Sequence, residues 1–150
     1  MVKVCNSKSD IIRLWAEAFG DTAEEIEFFI DNVKDAFCIC YYENSVVVSM
    51  MYLVKCSIND REYRYVYAAC TAKAHQGKGY MSELIDYCDK SGYKLCLIPA
   101  SDSLIGYYSA RKIDKKIKIS DIIFEQSEEI MEYLLEGYNL TQPLALCVKE

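Results

Sequence analysis

The sequence holds a single histidine, two prolines and no uncharged apolar run of transmembrane length, and each shortage closes a route. One imidazole is too few for the common zinc ligand sets, and the eight cysteines (5, 38, 40, 56, 70, 88, 96 and 147) form no Cys-x-x-Cys pair. No metal is expected. A bilayer span needs about 20 consecutive apolar residues, so no membrane partner is expected either. Scarce proline and glycine leave no linker, which makes residues 1–150 one expected domain. The opening Met1-Val2-Lys3-Val4-Cys5-Asn6 lacks a signal-peptide core, pointing to the cytoplasm and to buried free thiols rather than disulfides. Positive charge is short as well. A net charge of −6 argues against nonspecific nucleic-acid binding.

What is present is an apolar content of 52% with 27% charged residues, enough to build a core and too apolar for disorder. The charge is uneven along the chain. Residues 1–60 carry 10 acids against 5 bases, residues 64–118 carry 5 against 10, and residues 119–150 carry 7 against 1. A basic middle between acidic ends suits a polyanionic ligand bound centrally.

Ile11, Leu14, Trp15 and Ala18 recur at helical spacing after Ser7 and Ser9, and Gly20-Asp21 stops them. Thr22-Ala23-Glu24-Glu25 reads as a capping box opening a second helix with Ile26, Phe29, Ile30 and Val33 on one face. Residues 36–42, 46–56 and 62–71 read as an antiparallel meander joined at Glu43-Asn44-Ser45 and Ile58-Asn59-Asp60. A helix over 78–89, a buried strand Leu95–Ile98, a helix over 103–111, a strand near 113–124, a helix over 127–136 and a strand over Pro143–Val148 complete the chain. The strand–helix–strand unit from 62 to 98 should be a right-handed crossover with two parallel strands. The expected class is mixed α/β around one sheet.

The segment that points to chemistry runs from Tyr67 to Leu84. A strand ends near Thr71, and Gln76-Gly77-Lys78-Gly79 opens a helix. Glycines let the backbone approach a ligand, and the first helical amides point outward without an intrahelical acceptor, which suits phosphate oxygens. A P-loop fits worse, because Lys78 is followed by Gly79 rather than a hydroxyl residue, and a dinucleotide fingerprint would need glycine at Ser82.

Gln76-Gly77-Lys78-Gly79-Tyr80-Met81 resembles the GNAT superfamily signature Gln/Arg-x-x-Gly-x-Gly/Ala, with Met81 standing where a small residue is usual. The element order, Leu14–Asp21 and Leu97-Ile98-Pro99-Ala100-Ser101 also resemble one bacterial branch of that superfamily. The resemblance implies a central mixed sheet with a meander, a splayed parallel strand pair and flanking helices. It implies acetyl-CoA as cosubstrate, an amine as acceptor and direct attack in a ternary complex. Backbone amides of Gly77, Lys78, Gly79, Tyr80, Met81 and Ser82 would hold the pyrophosphate, Gln76 would belong to the same cofactor-binding segment, and Ala69-Cys70-Thr71 would pair with the pantetheine arm. Tyr107-Tyr108-Ser109-Ala110-Arg111-Lys112-Ile113 is similar to the family's aromatic-Tyr-x-x-x-Gly-Phe segment, which makes Tyr108 the general acid, with Lys112-Ile113 in place of Gly-Phe. No base is legible: Glu62, His75 (read as solvated) and ordered water remain open, and Cys70 leaves a covalent route open. Asp21, Glu24, Glu25, Glu27, Asp31 and Asp35 near the acceptor side raise a cationic acceptor, and Tyr41, Tyr42, Tyr63, Tyr65 and Tyr67 an aromatic pocket. A non-catalytic acyl-CoA-binding module is the alternative reading, and homodimerisation is left open.

Overall fold

The computed structural model describes residues 1–149. Strand β1 (Val2–Val4) precedes helices α1 (Lys8–Phe19) and α2 (Ala23–Asn32), then the strands β2 (Ala36–Glu43), β3 (Val46–Ile58) and β4 (Arg61–Thr71). Helix α3 (Tyr80–Lys90), β5 (Leu95–Leu97), α4 (Ser103–Ser109), β6 (Lys115–Ile117), α5 (Glu128–Leu134) and β7 (Ala145–Cys147) follow. The seven strands form one mixed sheet in the order β1-β2-β3-β4-β5-β7-β6. Among the described strands only β4 and β5 run parallel, as the crossover through α3 requires.

Local chemistry accounts for the element ends. Ser7 Oγ accepts the Asp10 amide at 3.3 Å, and Gly20, at φ 76°, closes α1 with its N–H on the Ala16 carbonyl. The expected capping box is present: Glu25 N–H donates to Thr22 Oγ1 at 3.2 Å and Thr22 N–H to Glu25 Oε1 at 3.0 Å. Both meander links have two central residues at positive φ, Asn44-Ser45 and Asn59-Asp60, the mirror-image geometry whose twist matches that of the flanking strands.

Helices cover both faces of the sheet. On one face Leu14, Trp15, Ile26, Phe29, Ile130 and Leu134 from α1, α2 and α5 pack against alternate residues of β2, β3 and β4. On the other, Leu84, Ile85 and Cys88 from α3 join Ile113, Leu97 and Leu146. Strand β3 is buried on both faces from Val47 to Val54, which places it at the centre of the molecule. All eight cysteines are buried as thiols rather than disulfides, packing as small apolar residues as the sequence suggested.

Four details differ from expectation. Val2–Val4 forms an edge strand on β2, with Val2 opposite Tyr41. The strand near 113–124 shrinks to Lys115–Ile117, followed by a 3-10 turn over Ile119–Asp121 and an isolated Ser57–Ile123 bridge. Strand β7 enters between β5 and β6, leaving β6 as an exposed edge with a single neighbour that only the last strand supplies. The helix expected from 78 begins at Tyr80, because Gly79 sits at φ 80°, outside helical space.

Candidate active site

Two distortions of β4 open the sheet at its centre. The first is a bulge. Met50 pairs with Cys70 but Tyr52 pairs with Tyr67, so Ala68 and Ala69 face Met51 alone, and Ala68 takes φ 54°. Such an irregularity interrupts the ladder and bends the strand. The second is a splay. Strands β4 and β5 pair only at Arg64–Leu95 and Tyr65–Cys96, and beyond these residues they part. The Ala72 amide donates to Val48 O at 2.7 Å, which turns Cys70 toward β3 and the N–H and C=O of Thr71 and Ala69 toward the gap. Cys70 therefore offers no edge to the gap; its side chain is buried in the Trp15–Phe29 core and its thiol is pushed up to about 12 by burial.

Below the open edge, a 3-10 turn (Lys73–His75) leads through Gln76 to Gly77 and Gly79, both at φ 80°. A Cβ at either glycine would meet nothing within 4 Å, so their role is conformational and the space beside them is open. The first intrahelical bond of α3 is Glu83 N–H to Gly79 O, so the amides of Tyr80, Met81 and Ser82 point out of the helix start without a backbone acceptor. Met81 packs against the α3 core, which explains why a larger residue is accommodated at that position. The Gln76 amide donates to Thr71 O at 3.5 Å. His75 is half-buried rather than solvated, with Nδ1 3.2 Å from Glu43 Oε2. Glu43 also accepts the Tyr80 hydroxyl, whose pKa that contact raises to about 12, and Tyr80 stacks on Tyr41 with centroids 4.2 Å apart. These contacts anchor the loop to β2.

Tyr108 faces the gap from α4. It lines the same cavity as Ala68 and Ala69, and its hydroxyl has no hydrogen-bond partner among the described residues. Burial pushes its pKa up to about 12, with the Tyr107 ring adding to the shift and Arg111 opposing it. The chain after Tyr108 closes on itself: Ile113 N–H donates to Tyr108 O and Lys112 N–H to Ser109 O, with Lys112 at φ 70°. That bonding is a Schellman motif, so Lys112 occupies the left-handed position usual for glycine, and Ile113 is buried after it. The two departures noted in the sequence thus keep the helix end intact. Arg111 was not singled out from the sequence. Its Nε donates to Ser82 Oγ at 2.9 Å, its Nη1 to Tyr107 O at 2.7 Å, and its guanidinium lies 3.6 Å from the Tyr107 ring centroid. It joins the end of α4 to the first turn of α3.

The gap widens into a cavity of about 510 Å³. Its walls include Trp15, Tyr65, Tyr67, Tyr133 and Tyr138, and its acids are Asp21, Glu25, Glu132 and Glu136. Of the aromatic pocket expected from the strands, Tyr65 and Tyr67 line the cavity, whereas Tyr41, Tyr42 and Tyr63 do not. Of the acids expected there, Asp21 and Glu25 are present, while Glu24, Glu27, Asp31 and Asp35 lie elsewhere. Glu62 pairs with Lys55 and Arg64 and is not part of the cavity. Glu132 and Glu136 come from α5 and the turn after it. Only the packing of α5 beside α2 could reveal them.

The sequence profile of the acetyltransferase (GNAT) domain matches residues 6–110. The chain belongs to the GNAT acetyltransferase family. No curated protein matches it. Solved structures share the fold at low identity. A GNAT family acetyltransferase from Elizabethkingia anophelis, solved with acetyl-CoA bound, is 15% identical, with 100% of this chain and 97% of that one covered and a TM-score of 0.60. A Corynebacterium glutamicum structure named as histone acetyltransferase HPA2 and related acetyltransferase is 12% identical over 98% and 94%, with a TM-score of 0.69. A probable N-acyltransferase from Enterococcus faecalis is 15% identical with a TM-score of 0.55; the match covers 73% of this chain, which spans only 31% of that protein.

Proposed function

We propose that residues 1–150 act as one acetyl-CoA-dependent N-acetyltransferase domain, with the acyl donor along the open edge of β4 and an amine in the cavity beyond it. The observation that carries this reading is the meeting of three features at one place: the unpaired edge at Ala69 and Thr71, the free amides at the start of α3, and the unpartnered Tyr108 hydroxyl. Acetyl-CoA bound there supplies the thioester carbonyl and a thiol leaving group.

The residues present suit that ligand. The amides of Gly77 to Ser82, at the positive end of the α3 dipole, receive phosphate oxygens in open space. Ala69 and Thr71 pair with the amides of the pantetheine arm as a neighbouring strand would. An amide at the Ala68–Ala69 bulge that is not taken up by the pantetheine arm would hold the carbonyl oxygen as it gains charge. Tyr108, protonated at neutral pH, donates to the sulfur as the C–S bond breaks and the N–C bond forms. A phenol near 12 is a weaker acid than an ordinary thiol near 8.5, so its contribution is a hydrogen bond to the developing thiolate. The proton shed by the attacking amine leaves through water, and the thiolate takes one up from water, so CoA departs as the thiol. Cys70, turned into the core with a raised pKa, takes no part, which leaves direct attack.

Calorimetric titration with CoA, then thiol release across an amine panel, tests this. Absence of heat and of any thermal shift at millimolar CoA would sink the proposal; binding without thiol release from any amine would mark a non-catalytic acyl-CoA-binding module. Tyr108→Phe is expected to lower kcat by about 10²-fold with little change in CoA affinity. An unchanged kcat removes Tyr108 from the mechanism.

A further inference from the structure

We infer that the acceptor is a polycationic amine, the simplest form being a linear diamine, held in the cavity by carboxylates from both ends of the chain. This rests on the acetyl-transfer reading and names the substrate class of that same site. The cavity beyond Tyr108 and Ala69 is lined by Asp21 and Glu25 from the early chain and by Glu132 and Glu136 from the late chain, and among the described residues no lysine, arginine or histidine lines it.

Two of these acids are already engaged. Asp21 Oδ2 accepts the Trp15 indole N–H at 2.9 Å, and Glu25 Oε1 accepts the Thr22 amide, which holds the Glu25 carboxyl below its ordinary range. The carboxylates of Glu132 and Glu136 have neither a hydrogen bond nor an ion pair among the described residues. Their mount is firm, because the Tyr133 hydroxyl donates to Glu25 O at 2.8 Å and its ring stacks on Phe28. Tyr67, Tyr133 and Tyr138 line the same cavity, and aromatic rings add to the attraction of a cation.

A cavity lined by four acids and by no cation among the described residues carries a negative potential that draws a cationic acceptor in. A neutral or anionic acceptor gains nothing from that potential. The nitrogen that attacks the thioester must be unprotonated, so it cannot also be the charge that the carboxylates bind. A second, protonated nitrogen has to do that. The acceptor therefore carries at least two amines separated by an apolar spacer that lies along the aromatic walls.

The test compares diaminopentane with aminopentanol, which keeps the length and the reacting amine but replaces the second ammonium with a hydroxyl. Thiol release from acetyl-CoA is expected to show kcat/KM higher for the diamine by about tenfold or more, the size of one charge-assisted contact, chiefly through KM. The preference is expected to shrink as salt is raised. The double variant Glu132→Gln, Glu136→Gln is expected to lose the preference while its circular dichroism and its thermal shift with CoA stay as in the parent. Equal kcat/KM for the two amines, or a preference that survives in the double variant, overturns the inference. If neither amine is turned over, the acetyl-transfer reading fails for these acceptors. Calorimetry of each amine with the CoA-loaded protein then decides the charge claim alone: tighter diamine binding upholds it, and equal or absent binding overturns it.

Discussion

Arg111 shows how one side chain can connect the two halves of the proposed cofactor site. It reaches from the end of α4 to Ser82 in the first turn of α3, and stacks on Tyr107 while doing so. Ser82 contributes one of the outward amides, so the guanidinium stands beside the place proposed for the pyrophosphate. A planar donor there favours phosphate oxygens by geometry as well as by charge. Arg111→Met keeps the stem and removes the charge. It is expected to weaken CoA binding about tenfold and to flatten the salt dependence of that binding, read by calorimetry at two ionic strengths. A dissociation constant within twofold of the parent would leave Arg111 a purely structural tie.

The end of α4 shows a sequence departure absorbed by an element. Lys112 takes φ 70° because the Schellman bonds of Ile113 and Lys112 require the left-handed region there. A residue with a Cβ is less stable in that region than glycine by about 1–2 kcal/mol. Lys112→Gly is therefore expected to stabilise the protein by about 1 kcal/mol, which at this chain length raises Tm by about 2–4 °C in a thermal melt. A lower Tm would mean that the Lys112 side chain makes a contact worth more than the strain. The capping box of α2 belongs to the same scale. Thr22 and Glu25 satisfy each other's amides, and the carbonyl of that same Glu25 receives Tyr133 from α5.

Across the whole molecule, the burial of thiols and phenols ties stability to alkaline pH. Cys70, Cys88 and Tyr108 are each pushed up to about 12, and burial raises Cys96, Tyr52, Tyr65 and Tyr67 as well. Unfolding returns these groups to about 8.5 for thiols and about 10 for phenols. Between those values and the folded ones, the unfolded chain binds fewer protons than the native one, so stability falls as pH rises. Below about pH 8 the contribution is fully present. Above it each group costs up to about 1.4 kcal/mol per pH unit once its unfolded pKa is passed. Urea midpoints are expected to be level from pH 7 to about 8 and to drop steeply by about pH 10. A level midpoint across that range would show that the thiols and phenols ionise equally in both states.

Local signals in the sequence determined most of the elements and one end of the site. The capping box at Thr22, the positive-φ turn residues Asn44 and Asn59, and the glycines at 77 and 79 act within a few residues of themselves, so their consequences can be read without a fold. The family likeness carried Tyr108 as far as a candidate. Short strands escaped that reading, because the three residues of Val2–Val4 or Lys115–Ile117 are too few to show a period. What only the tertiary structure decided is the acceptor end. Asp21 and Glu25 lie in the acidic beginning of the chain, and Glu132 and Glu136 in its acidic end. They meet because α5 packs beside α2 over the splayed strands. Charge repulsion alone would keep those two segments apart; burial of Phe29, Ile130 and Leu134 against the sheet holds them together.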